Sequence, residues 1–322
     1  MKKWFLLFLL AVCSSVLLAE EETFMFIHPG RETIVNFPSA SLGNTYTVSF
    51  FLPEKAVPLS KNYPVVVMLG LVPKDDAEAV AEYQKNHSVI VVGINFTEKD
   101  YAEKPTQIEN FLYRELFPYL DTNYLTKTGP ENRILAVRGE AAAQIALRTI
   151  EHPEVFGALA LMNPGNVWAQ GILPKVRTLV IGTQEELAQT QSALERGGKV
   201  YGPDFAMRYA KQGNAWFDGV DTEYLWAPAG EVAVKYLKAD VLRKTISLAQ
   251  KEEVALRVWA VLNNDGLFHY VPPTLRVSPP FLFWKPEEGV LQVVSGATAG
   301  KVRISNVVDK PAFTVKIKLK KQ

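Results

Sequence analysis

The chain has 322 residues, 48% of them hydrophobic, with 35 lysines and arginines against 34 aspartates and glutamates and a formal charge of +1. That length suffices for one large core or two smaller ones, and the near-neutral, mixed-sign balance gives no reason to expect nucleic acid or an anionic membrane as partner. The single cysteine, Cys13, excludes an internal disulfide framework and a thiolate metal cluster.

At the N-terminus, Lys2 and Lys3 precede an apolar run from Trp4 to Val12; small and apolar residues then lead to Ala19, and Glu20, Glu21 and Glu22 follow. This is the order of a secretory signal peptide, with cleavage expected after Ala19, so residues 1–19 are read as signal and the location as secreted or periplasmic. The run is short for a bilayer span, and Val12 is a poor neighbour for a lipoprotein reading of Cys13. Without Lys2 and Lys3 the mature chain has 33 basic against 34 acidic residues, a net −1. Without Cys13 it has no cysteine nucleophile.

Thr45 to Leu52 reads as a strand closed by Pro53. Pro64 to Gly70 is a β-branched run ending in glycine, which suits a strand buried on both faces. Asp75 to Asn86 is a short amphipathic helix, and Ser88 to Asn95 a second buried strand. Gln107 to Asn123 reads as a helix with Ile108, Phe111, Leu112, Leu116 and Leu120 on one side, in which Pro118 should produce a kink or a new turn. Ile134 to Val137, Ala158 to Met162 and Arg177 to Gly182 are further strands, and Ala141 to Glu151 a helix. Asp204 to Gln212 is then expected as a helix, Thr222 to Trp226 as a strand, and Val232 to Lys251 as a closing helix. Buried strands alternating with helices imply an α/β fold with a mostly parallel sheet covered on both faces.

From Val254 the pattern changes to short strands: Ala255–Leu262, Thr274–Val277, Val290–Ser295, Val302–Val307 and Thr314–Leu319, separated by turn clusters such as Asn263-Asn264-Asp265-Gly266. These suggest a small antiparallel sandwich. The expected organisation is 20–250 as the α/β domain and 251–322 as a β-rich unit that leans on it, being too small to stand alone without disulfides. Lys316 to Lys321 alternates like a half-buried strand and reads as a solvated face.

Four phrases in order resemble the esterase family of α/β-hydrolases that includes esterase D-like, enterochelin esterase-like and mycolyltransferase proteins. They are Ser41-Leu42-Gly43 with Val48 to Pro53; Tyr63 to Gly70; Phe111 to Leu120 with Asn123-Tyr124; and Ala146-Leu147 with His152 to Ala158. The likeness spans roughly Ser41 to Lys251. It implies an α/β-hydrolase sheet, a serine on a sharp strand-to-helix turn written G-x-S-x-G, a histidine, a carboxylate and two backbone oxyanion donors.

This chain departs from that pattern where the chemistry is done. Arg133 to Ala143 contains no Ser, Cys, Asp or Thr. The nucleophile position falls on Gly139 without a gap, or on Glu140 if Gln144 to Leu147 sets the alignment. The turn's other glycines are missing too, which suggests a relaxed turn. Glu231 stands where the family histidine is expected, and His28, His87, His152 and His269 lie elsewhere. His269, near Asp265 and among aromatics, would need the β-rich unit to fold over the cleft. Glu185 matches the acid position, where a helix-start carboxylate is the plain alternative. Gly70 and Leu71 match the first oxyanion donors.

The resemblance thus implies a degenerate esterase: a binding or scaffold protein of the cell envelope, with a protein, peptide or glycan as ligand and no cofactor or metal. Two alternatives are an ester hydrolase with an atypical site, for which Ser192 is the nearby serine, and a carboxylate-based enzyme in which Glu140, Glu185 and Glu231 converge. A third is a structural protein docking through its β-rich unit, whose phrase Leu275 to Phe283 is similar to opening strands of Ig-like domains of the major-sperm-protein type. Trp168, Trp216, Phe217, Tyr224, Trp226 and Phe281 to Trp284 either pack the core and the seam or form an aromatic site.

Overall fold

The computed structural model describes residues 32–53, 62–70, 73–124, 126–149, 154–210, 219–228, 230–248, 252–306 and 312–320. The signal-like segment, His28, Leu71, His152, Trp216, Phe217 and Gln250 lie outside the described residues.

An eight-stranded sheet forms the first layer. Its strands are β1 (Glu32–Ser39), β2 (Asn44–Phe51), β3 (Val65–Leu69), β4 (Ile90–Ile94), β5 (Arg133–Arg138), β6 (Ala158–Met162), β7 (Arg177–Gly182) and β8 (Phe205–Tyr209). The order is β1-β2-β4-β3-β5-β6-β7-β8. β1 and β2 pair antiparallel, as do β2 and β4, and every pair from β4 through β3 to β8 is parallel. The central strands β3, β4 and β6 are buried along their whole length, as two-sided burial of a parallel sheet requires.

Helices α1 (Pro73–Asn86), α2 (Glu98–Glu103), α3 (Pro105–Phe111), α4 (Phe117–Asn123), α5 (Glu140–Thr149), α6 (Gln184–Arg196) and α7 (Gly219–Trp226) connect these strands or follow them. The segment expected as one helix around Pro118 is α3 and α4 joined by a π-helical turn, Leu112–Leu116. Proline has no N–H to give and its ring crowds the carbonyl four residues back, and the widened turn just before Pro118 is a known way to absorb that conflict. Ile108, Phe111, Leu112, Leu116 and Leu120 are all buried, so the apolar stripe survives the irregularity.

Three expected elements are corrected. Asp204 to Gln212 is not a helix: Phe205–Tyr209 is edge strand β8, whose Phe205, Ala206 and Met207 are fully buried against the sheet. Thr222 to Trp226 is helix α7, not a strand, with Tyr224 buried and its hydroxyl donating to Gly202 O at 2.8 Å. Val232 to Lys251 is not a closing helix but contains strands β9 (Val234–Val241) and β10 (Thr245–Ser247). The buried pair Leu237 and Val241 lies four residues apart, a spacing that satisfies both a helix and an alternating strand. Pairing with β11 decides the matter.

The β-rich part continues with β11 (Glu253–Leu262), β12 (Leu267–Tyr270), β13 (Leu275–Ser278), β14 (Leu282–Lys285), β15 (Val290–Val293), β16 (Gly300–Asn306) and β17 (Thr314–Lys320). One sheet runs β10-β17-β16-β13; the other runs β12-β11-β15-β14 with β9 also paired to β11. Alternate residues of each are buried, among them Val302, Ile304, Ile317 and Leu319 in the first and Val254, Leu256, Val258 and Leu291 in the second.

This part is stitched to the first sheet. Val271 N donates to Gln191 Oε1 at 2.8 Å, Gln184 Nε2 donates to Pro286 O at 2.8 Å, and the Tyr201 hydroxyl donates to His269 O. Tyr224 and Phe268 meet with ring centroids 4.9 Å apart.

Candidate functional site at the carboxyl ends of the strands

Loops at the carboxyl ends of parallel strands hold ligands in open α/β sheets. The corner between β5 and α5 is the informative one. Gly139 occupies it at φ +88°, between Arg138, the last residue of the strand, and Glu140, the first of the helix. Its N–H donates to Met162 O at 2.9 Å and its carbonyl accepts from Ala143 N at 3.0 Å. The expectation of a relaxed turn is therefore corrected. The corner is sharp, and glycine adopts without strain a φ that an L-residue holds only at a cost. A Cβ built on Gly139 would meet no atom of the described residues within 4 Å, so among them the corner is open as well as sharp.

Neighbouring loops pack against this corner through Gly165. Its φ is +59°, its N–H donates to Glu186 Oε1 at 3.1 Å, and a Cβ there would stand 2.7 Å from Glu140 Oε2. The two carboxylates brought to one glycine are thus Glu140 and Glu186. Glu186 also closes a capping box: Thr183 N donates to its Oε2 at 2.7 Å while Thr183 Oγ1 accepts from Glu186 N at 3.3 Å. Its neighbour Glu185 is exposed and accepts from Gln189 Nε2 at 3.3 Å on the outside of α6. Glu185 matches the acid position in the sequence, but the T-x-x-E spacing from Thr183 to Glu186 carries the capping-box signal.

Glu231 is exposed in the turn between α7 and β9, where its N–H donates to Pro228 O at 3.0 Å and its carbonyl accepts from Asn264 N at 2.9 Å. It belongs to the junction with the β-rich part, because the strand expected before it is a helix. The convergence of Glu140, Glu185 and Glu231 is not formed as a cation site: no group of three or more His, Cys, Asp or Glu among the described residues is placed to hold a metal ion.

Gly70 follows β3 at φ +84°, and a Cβ would lie 3.1 Å from Arg138 O, so the backbone must pass close to the corner strand. Its amide donates to Ile94 O at 2.9 Å. That N–H is engaged by the sheet rather than presented as an oxyanion donor, and Leu71 lies outside the described residues. The amides of Glu140, Ala141 and Ala142 at the start of α5 have no acceptor within the helix.

Of the two described histidines, His269 reaches this end of the sheet. It arrives on β12, its Nε2 3.0 Å from Gln184 Oε1 and its ring 6.2 Å from that of Tyr209 at the end of β8. Since the Gln184 amide nitrogen donates to Pro286 O, its oxygen faces the imidazole, and Nε2 carries the proton. Burial, helped by the Arg257 charge, pulls the imidazole pKa from 6.5 down to about 4, so the ring is neutral near pH 7. His87, by contrast, stacks on Tyr83 at 4.7 Å before the amino end of β4, at the opposite side of the sheet. Ser192 lies within α6, where its carbonyl accepts from Arg196 Nε at 3.0 Å.

The aromatic candidates divide. Trp168 is buried, with Nε1 donating to Thr190 Oγ1 at 2.7 Å, and Trp284 is buried with Nε1 donating to Pro272 O at 2.7 Å. Phe283 is 59% exposed beside a groove of about 690 Å³ that Leu275, Val277 and Trp284 also line.

No protein-family model matches the chain, and no curated protein does. Among solved structures the fold is similar to an uncharacterised protein from Capnocytophaga ochracea, at 14% identity and TM-score 0.44 over 61% of this chain and 62% of that one. It is similar to the enterobactin esterase from Shigella flexneri at 14% identity and TM-score 0.47, over 58% of each chain. A ferulic acid esterase from Anaeromyces mucronatus matches at 14% identity and TM-score 0.48, over 66% of this chain and 94% of that one. The matched part spans less than two thirds of the first two proteins.

Proposed function

We propose that this chain is an esterase-like protein, exported to the cell envelope, that binds a partner there and does not hydrolyse esters. The observation that carries the reading is Gly139 at the strand-to-helix corner: the place and backbone shape of a nucleophile, without a hydroxyl, thiol or carboxylate on it. The serine reaction needs an oxygen that loses its proton to a histidine and forms the acyl bond, and glycine has no side chain to supply it. Glu140, next in the chain, starts the helix and packs against Gly165. Lys2, Lys3 and the apolar run before Ala19 support export, and no helix among the described residues is long and apolar enough to cross a membrane. The two β-rich sheets, apolar on alternate positions, are read as an Ig-like sandwich that serves as a docking module.

One observation favours a second reading, an ester hydrolase with an atypical site: a neutral His269 stands at the carboxyl ends of the strands. It needs a nucleophile from outside the corner.

The test is to incubate the purified protein with a fluorophosphonate probe and with short-chain nitrophenyl esters, beside an active serine esterase. The expected result is neither labelling nor turnover. Labelling together with turnover would overturn the proposal, and mapping the modified residue would then locate the true nucleophile.

A further inference from the structure

A chain with near-balanced charge has one face that is anything but balanced. Strands β10, β17, β16 and β13 contain no aspartate or glutamate. Their outward positions carry Arg276, Lys301, Arg303, Lys316, Lys318 and Lys320, all exposed. Cross-strand register sets Lys301 directly opposite Lys318 and Arg303 directly opposite Lys316, with Arg276 one step diagonal from Arg303. None of the six has a carboxylate partner among the described residues. Of the acids that follow Val232, Asp240, Glu252, Glu253, Asp265, Glu287 and Glu288 lie outside these four strands, with Lys285 pairing with Glu253 and Glu288, and Asp309 falls outside the described residues.

Like charges set directly opposite one another cost stability. Lysines are often placed on edge strands to block unwanted pairing, but β16 and β17 are the two central strands of this sheet, so edge protection does not account for them. The cost is offset when an anionic surface covers the face.

We propose that the outward face of this sheet docks onto an anionic lipid bilayer. The cations form a grid, about 5 Å apart across strands and about 7 Å along them, a spacing that suits an array of headgroup phosphates. The four strands contain no aromatic residue. Stacking platforms of the kind that hold single-stranded nucleic acid or sugar rings are therefore missing from it. The loop from β9 to edge strand β10 borders this sheet, and its Leu242 is 74% exposed, with its N–H donating to Ala255 O of β11 in the other sheet at 3.1 Å. That loop is fastened to the sheet, since Lys318 N donates to Lys244 O at 2.9 Å. A basic face with an exposed apolar residue at its margin is the combination used by proteins that lie on membranes. The docking does not depend on what happens at the Gly139 corner.

Co-sedimentation with phosphatidylcholine vesicles, with and without phosphatidylglycerol, tests this on the purified protein and on the variant Arg303→Glu/Lys316→Glu/Lys318→Glu with the same N-terminus. The protein should bind the anionic vesicles at low salt, release at high salt, and leave neutral vesicles unbound. Each cation near such a surface is worth about a fivefold change, so the variant should bind on the order of a hundredfold or more weakly. Leu242→Ser should weaken binding by a smaller factor. If charge reversal impairs folding, Lys301→Gln/Lys318→Gln, which relieves an opposed pair, replaces it. Equal binding of protein and variant, equal binding to both vesicle types, or no vesicle binding alongside tight binding to heparin or DNA would each overturn the proposal, the last assigning the face to a soluble polyanion.

Discussion

His269 offers the sharpest test of how the β-rich part is held to the sheet. In the folded chain the imidazole resists protonation until about pH 4, because burial and Arg257 disfavour the cation, whereas in the unfolded chain it accepts a proton near its ordinary 6.5. The unfolded state therefore binds more protons between these values, and stability contributed by the neutral ring is complete above pH 6.5 and lost as pH falls toward 4. At about 1.4 kcal/mol per pH unit the ceiling is about 3 kcal/mol, and the loss already incurred at pH 5 is about 2 kcal/mol before solvent screening reduces it. The side chain is half-buried, so about 1–2 kcal/mol is expected. His269→Gln retains an amide N–H for Gln184 Oε1 and does not titrate. Urea unfolding near pH 7 and near pH 5, followed by tryptophan fluorescence, should show the wild type losing about 1–2 kcal/mol more than the variant across that interval. Equal losses in the two proteins would refute the reasoning, because the imidazole would then titrate alike in the folded and unfolded chains.

Other consequences concern the corner and its supports. Gly139→Ala meets no atom of the described residues within 4 Å but must hold φ +88°, so it should cost about 1–2 kcal/mol in urea unfolding through backbone strain; a neutral effect would mean the corner bends easily. Gly165→Ala should cost more, since strain at φ +59° is joined by a Cβ 2.7 Å from Glu140 Oε2. Adding Glu140→Ala should recover part of that loss in a double-mutant cycle, and strict additivity would deny the contact. Thr183→Ala removes the capping box of α6 and should lower stability by about 1 kcal/mol. Gly139→Ser should fold yet remain silent toward nitrophenyl esters, as His269 is held by Gln184; measurable turnover would show that only the hydroxyl was missing.

Much of this architecture follows from the chain read alone. The runs Val65 to Leu69 and Ile90 to Ile94 are apolar at every position, and a strand so composed has to be covered on both faces, which entails crossover helices and a parallel sheet. The absence of any hydroxyl or thiol around Gly139 needs no coordinates either. Other features were settled by partners distant in sequence. Phe205 to Tyr209 and Val234 to Val241 are made of residues content in either helix or strand, and the open edges of β7 and β11 made them strands. Glycine at position 139 permits a sharp or a slack turn, and in the fold it holds φ +88° with its N–H donating to Met162 O at the end of β6. The alternating lysines of β17 are visible in the sequence, but only the register with β16 and β13 gathers them with Lys301, Arg303 and Arg276 into one face. The physical reason is common to these cases: burial pattern and side-chain chemistry are local properties of a chain, whereas pairing, register and the meeting of distant loops are decided by surfaces that exist only once the rest has folded.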